Sequence, residues 1–479
     1  MRATRSLIIV LVGVICIVAS LLLFLNKKER AAATTTGYSY GKSIPASIAI
    51  REAPELIYVS YFESDVVLEI DSSTMQLERQ FQVDKPGFLI ASSVEPFVYV
   101  ETTDSPGYMS RINTESGSVD RIEVPPTPTQ FCFDEDEDRI WVLGRTWPNP
   151  NEYYSAGEAG SHPDTGRLSE IDLASFQVTR TESISPLPLS LIFSQYSGKL
   201  YVWHEFESYD PETTQVVGDV VRETDPVTFQ EDRMFLAGPD TGFAGLPRME
   251  FWSLDQRYLA IPNPALNDPP NCITIFDLES WQDVTDQFFP QVTSVPFGVR
   301  HIRRVPGSNV LWCTGFGRLA PGNTDVPLLM VNSETGDFDT YGVAGPNRWG
   351  DLAISPSTCK PYILSPRTDE IFEFDPPNHD PECGLTIITP MPYHGPAPAL
   401  IEFDATGSYD PDPCDELTYE WDFDGDGLYG EAVDDSYTGD PDNPTHSYTA
   451  SYHGPVLLRL SDNHGSEMTC TVYVDVDII

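Results

Sequence analysis

The sequence is poor in basic residues. Its 479 residues include 28 lysines and arginines against 73 aspartates and glutamates, which gives a formal net charge of −45. A surface of this kind repels phosphate backbones, so we expect no nucleic-acid partner. The sequence also has no C-x-x-C pair and no H-E-x-x-H motif. These absences argue against zinc or dithiol redox sites and against a metalloprotease of the H-E-x-x-H class.

Long apolar runs are also scarce, and there is a single one, Leu7–Leu25, without any charge. As a helix it would be about 28 Å long, enough to cross a bilayer core. The small-residue stretch Ala31–Ala33 follows a basic flank rather than the apolar run itself. The pattern therefore favours an uncleaved membrane anchor over residues 1–30, with a cleaved signal peptide as the alternative. Either reading places the body outside the cytoplasm, in the cell envelope or secreted.

Turn-forming residues are abundant, with 42 prolines and 33 glycines, and no long helical periodicity follows the apolar run. Hydrophobic residues make up 40% of the chain and aromatic residues 11%, enough for large cores. This composition excludes a disordered chain and predicts an all-β protein with many short strands joined by turns.

A turn motif, [DN]-x-x-[ST], recurs at the ends of short apolar strands. Its first residues are Asp71, Asn113, Asp172, Asp225, Asp277, Asn332 and Asp375. The last copy departs from the pattern, with Asn378 in the place of Ser or Thr. Asp or Asn at a strand end accepts hydrogen bonds from backbone N–H groups two or three residues on. The motif therefore predicts the hairpin between the last two strands of a repeating four-stranded unit.

A second strand lies upstream of each copy. These strands are Leu56–Tyr61, Phe97–Val100, Arg139–Leu143, Lys199–Trp203, Tyr258–Ile261, Val310–Cys313 and Pro361–Leu364. Four strands in each repeat of roughly 40–60 residues is typical of propeller blades. The repeats resemble the YVTN, NHL and lactonase-like propellers of exported proteins, over about residues 45 to 378.

The repeats predict a seven-bladed β-propeller over residues 44–378, after a linker at 31–43. The seventh blade is short of one strand, because the chain leaves it after Phe372–Asp375. We expect that strand to come from the N-terminal side, near Ile44–Ile50, since an open ring would expose strand edges. An eight-bladed or irregular ring is the alternative.

The last hundred residues resemble a PKD domain. The segments Leu400–Asp410, Leu417–Gly427, Asn443–Tyr448 and Pro455–Gly465 follow the order of that family, although WDFDGDG carries an extra Asp. The resemblance implies an Ig-like β-sandwich over residues 395–479, after a linker at 379–394. It also implies a core tryptophan at Trp421 and a buried tyrosine at Tyr448.

Asp422, Asp424 and Asp426, followed by Gly427, have the D-x-D-x-D-G spacing of the first half of a calcium loop. Position twelve of such a loop is Val433 rather than Glu, so an acidic turn without an ion is the alternative. Calcium is the only cofactor that the sequence suggests.

Four cysteines are candidates for disulfides in an oxidising compartment. Cys414 and Cys470 are the only cysteines inside the PKD segment, which suggests that they pair. Cys359 and Cys383 bracket the exit from the seventh blade and form the second predicted pair.

Arginines and aromatic residues recur where ligand-face loops of a propeller begin or end. The candidate ligand-binding residues are Arg145, Trp147, His204, Arg248, Arg300, Arg318, Arg348, Trp349 and Arg367. Guanidinium groups at a funnel mouth would capture a carboxylate or sulfate. The alternative is local ion pairing with the abundant Asp and Glu. His204 and His301 are the candidates for a catalytic role.

The sequence therefore predicts an extracytoplasmic surface protein, held at the membrane by its N-terminal helix, whose propeller binds a ligand or partner. The PKD resemblance implies contact with a cell-envelope protein or polysaccharide. The alternative function is a propeller enzyme, lyase or lactonase-like, acting on a small anionic or saccharide substrate. In either case a small anion is a candidate ligand.

Overall fold

The structure, a computed structural model, describes most of the chain after residue 33. The described residues are 34–42, 45–52, 54–102, 106–134, 138–145, 166–185, 187–209, 216–238, 248–262, 273–288, 298–316, 326–336, 338–343, 350–365, 369–432, 434 and 436–479. The pattern of residue contacts divides them into two compact units, Thr35–Asp375 and Pro376–Ile479.

The first unit contains seven four-stranded antiparallel sheets in its described residues, which we number in chain order. The first described strand, β1 (Thr34–Ser39), belongs to sheet 7. Sheet 1 consists of β2 (Pro45–Arg51), β3 (Leu56–Tyr61), β4 (Val66–Asp71) and β5 (Leu77–Gln82). Sheet 2 consists of β6 (Pro86–Ala91), β7 (Phe97–Thr102), β8 (Gly107–Asn113) and β9 (Val119–Val124). Sheet 3 consists of β10 (Pro128–Asp134), β11 (Arg139–Arg145), β12 (Gly166–Asp172) and β13 (Gln177–Ile184).

The remaining four sheets repeat this order of strands. Sheet 4 consists of β14 (Pro188–Ser194), β15 (Lys199–Tyr209), β16 (Val216–Thr224) and β17 (Glu231–Gly238). Sheet 5 consists of β18 (Glu250–Phe251), β19 (Tyr258–Pro262), β20 (Ile273–Asp277) and β21 (Gln282–Asp283). Sheet 6 consists of β22 (Gly298–Arg304), β23 (Val310–Phe316), β24 (Val326–Asn332) and β25 (Phe338–Val343). Sheet 7 consists of β26 (Leu352–Ile354), β27 (Pro361–Ser365), β28 (Glu370–Asp375) and β1. A 3-10 turn at Phe62–Ser64 and a short helix, α1 (Thr285–Phe288), complete this unit's described elements.

Hydrophobic cores lie between neighbouring sheets rather than inside them. Seven clusters of buried side chains each combine residues from two consecutive sheets. One of them joins Ile57 and Val59 of sheet 1 to Tyr362 and Leu364 of sheet 7. The sheets therefore follow one another in a closed cycle, an arrangement that fits a β-propeller. Burial on both faces explains why second strands such as β3, LIYVSY, are apolar almost throughout.

The repeated turn motif forms the predicted hairpin between the third and fourth strands. In the first copy, Asp71 Oδ1 accepts a hydrogen bond from Thr74 N at 2.8 Å, and in the fourth, Asp225 Oδ1 accepts one from Thr228 N at 2.8 Å. The fifth residue of the motif adopts a positive φ, as at Met75, where φ is 52°. In the seventh copy, Asp375 ends β28 and the chain leaves the sheet, so no hairpin forms there.

The strand that completes sheet 7 does come from the N-terminal side, but its predicted position was wrong. It is β1, Thr34–Ser39, whereas the stretch near Ile44–Ile50 forms β2, the first strand of sheet 1. The predicted linker at 31–43 therefore contains a strand. The half-buried Tyr38 and Tyr40 pack into the core between sheets 7 and 1, and Tyr40 Oη donates to Met75 O at 2.9 Å. A short polar strand, TTTGYS, gives little sequence signal because its partner supplies most of the burial.

The second unit is a pair of four-stranded sheets around one core. Its strands are β29 (Thr386–Ile387), β30 (Tyr393–Gly395), β31 (Ala399–Asp404), β32 (Thr418–Asp422), β33 (Tyr437–Thr438), β34 (Thr445–Tyr448), β35 (Tyr452–Ser461) and β36 (Glu467–Ile478). One sheet has the order β29-β31-β34-β33 and the other β30-β36-β35-β32. The predicted linker at 379–394 contains β29 and the start of β30, and thus belongs to this unit.

Trp421 and Tyr448 lie in the core of this unit, as predicted. Trp421 stacks on Phe423 with ring centroids 5.2 Å apart, and its Nε1 donates to Pro441 O at 2.8 Å. Tyr448 Oη donates to Phe423 O at 2.9 Å. Each polar atom of the two buried rings therefore has a partner, as burial requires.

The cysteine pairing differs from both predicted pairs. Cys383 is bonded to Cys470, with Cα atoms 6.3 Å apart, so the pairings Cys414–Cys470 and Cys359–Cys383 were wrong. The segment that leads into β29 is part of the sandwich and brings Cys383 beside the last strand. Cys359 and Cys414 are also disulfide-bonded, whereas Cys132 is a free thiol.

The predicted anchor, residues 1–30, lies outside the described residues. Within the described part of the chain, no helix has the length and apolar content needed to cross a bilayer.

Removing β1 should destabilise the first unit. A chain that starts at residue 43 loses the half-buried Tyr38 and Tyr40 and exposes the edge of β28, so we expect unfolding to cost about 2 kcal/mol less. A chain that starts at residue 34 is the matched control and should melt like the full-length protein. Calorimetry and light scattering measure the melting temperature and edge-driven aggregation. Equal melting of the two truncated chains would contradict the closing role of β1.

Candidate functional site

A cavity of about 300 Å³ lies where the seven first strands converge. Its walls include residues of β2, β6, β10, β14, β18, β22 and β26, one strand from each sheet. The cavity is therefore the central channel of the sheet cycle. Most lining side chains are apolar, and the polar ones are Gln130, Glu250, Arg303 and Arg304.

Polar side chains at the starts of several first strands link one sheet to the next. Ser47, Gln130 and Ser190 each follow a proline by two residues, at a break in the strand register. Gln130 Oε1 accepts a hydrogen bond from Leu191 N of the following sheet at 3.0 Å, and Ser190 Oγ accepts one from Met249 N at 3.4 Å. These bonds satisfy backbone N–H groups that the neighbouring sheets shield from water.

Asp351 forms the corresponding link where the last sheet meets the first. It is 2% exposed and directly precedes β26. Its Oδ2 accepts hydrogen bonds from Ser47 Oγ at 2.6 Å and from Ile48 N at 3.3 Å. The link between the last and the first sheet therefore uses a carboxylate, whereas the links through Gln130 and Ser190 use neutral side chains.

The buried carboxylate is neutralised by Arg248, which precedes β18. Arg248 Nη1 donates to Asp351 Oδ2 at 2.6 Å, and its guanidinium lies 3.7 Å from the centre of the Phe88 ring. Burial lowers the pKa of Arg248 to about 10, and Asp351 opposes this shift. Burial acts to raise the pKa of Asp351, but the charges of Arg248 and Arg303 and the hydrogen bond from Ser47 outweigh it and hold the pKa well below its usual range. The pair is therefore charged at neutral pH.

Strand β22 places Arg300, His301 and Arg303 in the same region. Arg303 Nη2 donates to Asp351 Oδ1 at a longer 3.4 Å, and Arg303 retains 23% of its side-chain exposure. Burial lowers the pKa of Arg300 to about 10. Burial and the neighbouring arginines also lower the pKa of His301, whose ring is therefore neutral. The register of β22 shifts between Val299 and His301, which makes room for Arg300.

Glu101, at the end of β7, is the second carboxylate of the region and is 1% exposed. Its Oε1 accepts a hydrogen bond from Phe88 N at 3.4 Å, while its Oε2 has no hydrogen-bond partner among the described residues. Burial raises the pKa of Glu101 to about 8, so the group is mainly neutral at pH 7. Arg248 and Arg303 therefore share one ionised carboxylate, Asp351.

The structure brings together only part of the predicted ligand site. Arg248 and Arg300 adjoin each other, since Arg248 N donates to Arg300 O at 3.3 Å. Arg145 instead donates from Nε to Pro188 O at 2.8 Å, at the junction of sheets 3 and 4. The other predicted members lie outside the described residues: Trp147, Arg318, Arg348, Trp349 and Arg367.

The two predicted catalytic histidines do not share a site. His204 is completely buried in sheet 4, and its Nε2 lies 3.4 Å from Glu231 Oε1. His301 Nδ1 lies 4.0 Å from Asp351 Oδ1, too far for a hydrogen bond. Because Ser47 also contacts Asp351, the carboxylate lies between the hydroxyl and the imidazole. A serine triad needs the imidazole in the middle, so this order does not activate Ser47.

Sequence reasoning missed Asp351, Arg303 and Glu101. The available signal was the Pro-x-polar pattern at the starts of first strands, as in Pro45-Ala-Ser47 and Pro188-Leu-Ser190. That pattern marks the axis of the cycle, but it does not show which partners lie across the channel.

The predicted calcium ligands divide between two acidic groups. Oxygens of Asp422, Asp424 and Asp434 lie within 4.8 Å of one another, as do those of Asp424, Asp426 and Glu431. Both oxygens of Asp422 also accept bonds from the loop's own backbone, from Gly425 N at 2.6 Å and Gly427 N at 2.8 Å. The loop geometry is thus held by protein donors, and calcium binding stays a prediction.

A third acidic group in the described residues of this unit was not predicted. Asp410, Asp412 and Asp415 lie in the turn after β31, with oxygens within 4.8 Å of one another. Asp410 Oδ2 and Asp415 Oδ2 are buried and have no hydrogen-bond partner among the described residues. Burial raises the pKa of Asp410 to about 6, and the neighbouring carboxylates Asp412, Asp415 and Asp462 add to this shift.

Comparison with known proteins identifies the fold alone. No protein-family model and no curated protein matches the chain. Among solved structures, it is similar to hydrazine synthase from Kuenenia stuttgartiensis, with 13% identity and a TM-score of 0.50 over 71% of this chain and 97% of that one. It is also similar to a chain in the crystal structure of a mitotic checkpoint complex, with 10% identity and a TM-score of 0.51 over 74% and 98% of the chains. Both are propeller-type folds, and at this identity they carry no activity to this chain.

Replacing Asp351 should destabilise the first unit strongly. In Asp351→Ala, Arg248 stays buried without its carboxylate, so we expect a loss of about 3–5 kcal/mol. The double variant Asp351→Leu with Arg248→Met should recover much of this loss, because no buried charge is left unpaired. Asp375→Ala, which removes an exposed ion pair with Lys360, is the control and should cost less than about 1 kcal/mol. Calorimetry measures all three, and an Asp351→Ala protein as stable as the control would contradict the role of the pair.

Replacing Asp410 should stabilise the second unit at neutral pH. The pKa of Asp410 is higher in the folded state than the ordinary value near 4, so stability is lost as pH rises from about 4 through 6. Asp410→Asn should therefore raise the melting temperature by a few degrees at pH 7, measured in EDTA, and by little at pH 4. Asp404→Asn is the matched control, because hydrogen bonds from Thr406 lower the pKa of Asp404. A lower melting temperature for Asp410→Asn at pH 7 would contradict the assignment.

Proposed function

We propose that the seven sheets form a seven-bladed β-propeller whose central channel binds a small anion. The observation that carries this proposal is Arg303, which lines the cavity and shares the carboxylate of Asp351 with Arg248, in a chain with a net charge of −45. Asp351 therefore neutralises only part of the charge of these two guanidinium groups, and Glu101 is mainly neutral at pH 7. In a channel shielded from water, the remaining positive charge favours an anionic ligand.

Arg303 is the contact residue of this proposal. It lines the cavity, is partly exposed, and bonds weakly to Asp351 and to its neighbour Ile302 O at 3.1 Å. Arg248, in contrast, is held tightly by Asp351 and Phe88. An incoming anion would therefore meet Arg303 first, with Arg248 and Arg300 contributing their field.

We place the protein outside the cytoplasm, as a surface protein held by its N-terminal segment, with the second unit acting as a PKD-type module for protein or polysaccharide contact. The disulfide between Cys383 and Cys470 supports an oxidising compartment. The buried positions of Trp421 and Tyr448 support the PKD reading. The enzyme alternative has less support, because Asp351 lies between Ser47 and His301.

Loss of the Arg303 charge should weaken anion binding. We expect Arg303→Gln to reduce affinity tenfold or more, since a charge-assisted hydrogen bond contributes about 1.5–3 kcal/mol. Isothermal titration calorimetry with benzoate, sulfate and gluconate measures the affinity for each anion, and the two proteins are compared on the anions that bind. Arg303→Lys should retain part of the affinity.

Arg121→Gln is the matched control for net charge. Arg121 lies on the surface of sheet 2 in an ion pair with Asp84, so its replacement should leave affinity unchanged. Equal affinities of Arg303→Gln and the unaltered protein would remove Arg303 from the site, and no binding of any probe would overturn the proposed function.

A further inference from the structure

The charged groups that line the channel lie on one side of it. Glu250, Arg303 and Arg304 belong to the first strands of sheets 5 and 6, which are neighbours in the cycle. Arg304 donates to Ser308 O and Phe251 O, both at 2.7 Å; burial lowers its pKa, and the nearby Glu250 opposes this shift. Arg303 is therefore the cation on this wall that is least engaged by the protein.

The rest of the wall is almost entirely apolar. The first strands of sheets 1, 2, 3, 4 and 7 present aliphatic and aromatic side chains and the free thiol Cys132. Ala49, Ile90 and Ile192 are half-buried there, so each keeps apolar surface that faces the cavity. Gln130 is the polar exception on these strands, and its Oε1 is already engaged by Leu191 N.

This division of charge and apolar surface defines a class of ligand. We propose that the channel takes an amphipathic organic anion, with a carboxylate or similar group at Arg303 and a compact apolar body against Ala49, Ile90 and Ile192. The inference rests on the proposed function and names its ligand class. An inorganic anion would leave the apolar wall unused, and a sugar acid would bury hydroxyl groups without partners.

The size of the cavity limits the apolar body. About 300 Å³ is at the small end of ligand pockets, which occupy roughly 300–1,000 Å³. A single ring or a short branched chain with one acidic group fits this volume, whereas a long acyl chain or an oligosaccharide does not.

Four probe molecules test separately the two features of the proposed ligand, its anionic group and its apolar body. Benzoate carries both an anionic group and an apolar ring, benzyl alcohol has the ring without the charge, and sulfate and gluconate have charge without an apolar body. Isothermal titration of the full chain should give benzoate at least tenfold tighter binding than each of the other three. Stronger or equal binding of sulfate or gluconate would overturn the ligand class while leaving anion binding intact. Stronger or equal binding of benzyl alcohol would show that the charge adds nothing and would overturn both proposals.

One further measurement locates the binding in the channel. Ile192→Thr should weaken benzoate several-fold and leave the affinity for sulfate unchanged, and Ala49→Ser provides a smaller change should Ile192→Thr not fold. Unchanged benzoate affinity in the folded variant would overturn the channel site.

Discussion

The structure of the first unit depends on satisfying backbone N–H groups where seven strands converge on one axis. At the starts of the first strands, neighbouring sheets exclude water, so each N–H group needs a protein acceptor. Gln130 and Ser190 supply neutral acceptors to the next sheet. Where the last sheet meets the first, Asp351 supplies a charged one. A buried carboxylate is costly without a cation, and Arg248 is therefore required beside it.

This constraint links the closure of the ring to the chemistry of its channel. Once Arg248 compensates Asp351, Arg303 keeps only a longer bond of 3.4 Å to the same carboxylate, and burial keeps Glu101 mainly protonated at neutral pH. The charge of Arg303 is therefore neutralised only in part. Arg248 and Asp351 form the tighter pair, and Arg303, with its longer bond and its partial exposure, is the member that our proposal assigns to ligand contact.

Local features of this fold were predictable from the sequence, and distant pairings were not. The hairpin turns could be predicted because the bonds of Asp71 and Asp225 fall within four residues of chain. Strand β1 was misplaced because its partner, β28, lies more than three hundred residues away and supplies most of its burial. The same reason explains the Cys383–Cys470 disulfide. Arg248 and Arg300 were recognised from their positions at blade entries, but nothing near Asp351 in the sequence shows that it faces them.

The acidic surface adds a selection step that the channel alone does not provide. Charges at the surface act over about 8 Å at physiological ionic strength, so they do not cancel the field inside the channel, but they do repel an approaching anion. That repulsion grows with the negative charge of the ligand, whereas the favourable binding energy at Arg303 comes from one contact only. A ligand with a single negative charge therefore has the most favourable balance, and its further affinity must come from apolar contact with residues such as Ile90 and Ile192. The surface charge, the partly exposed Arg303 and the apolar wall thus favour the same kind of molecule.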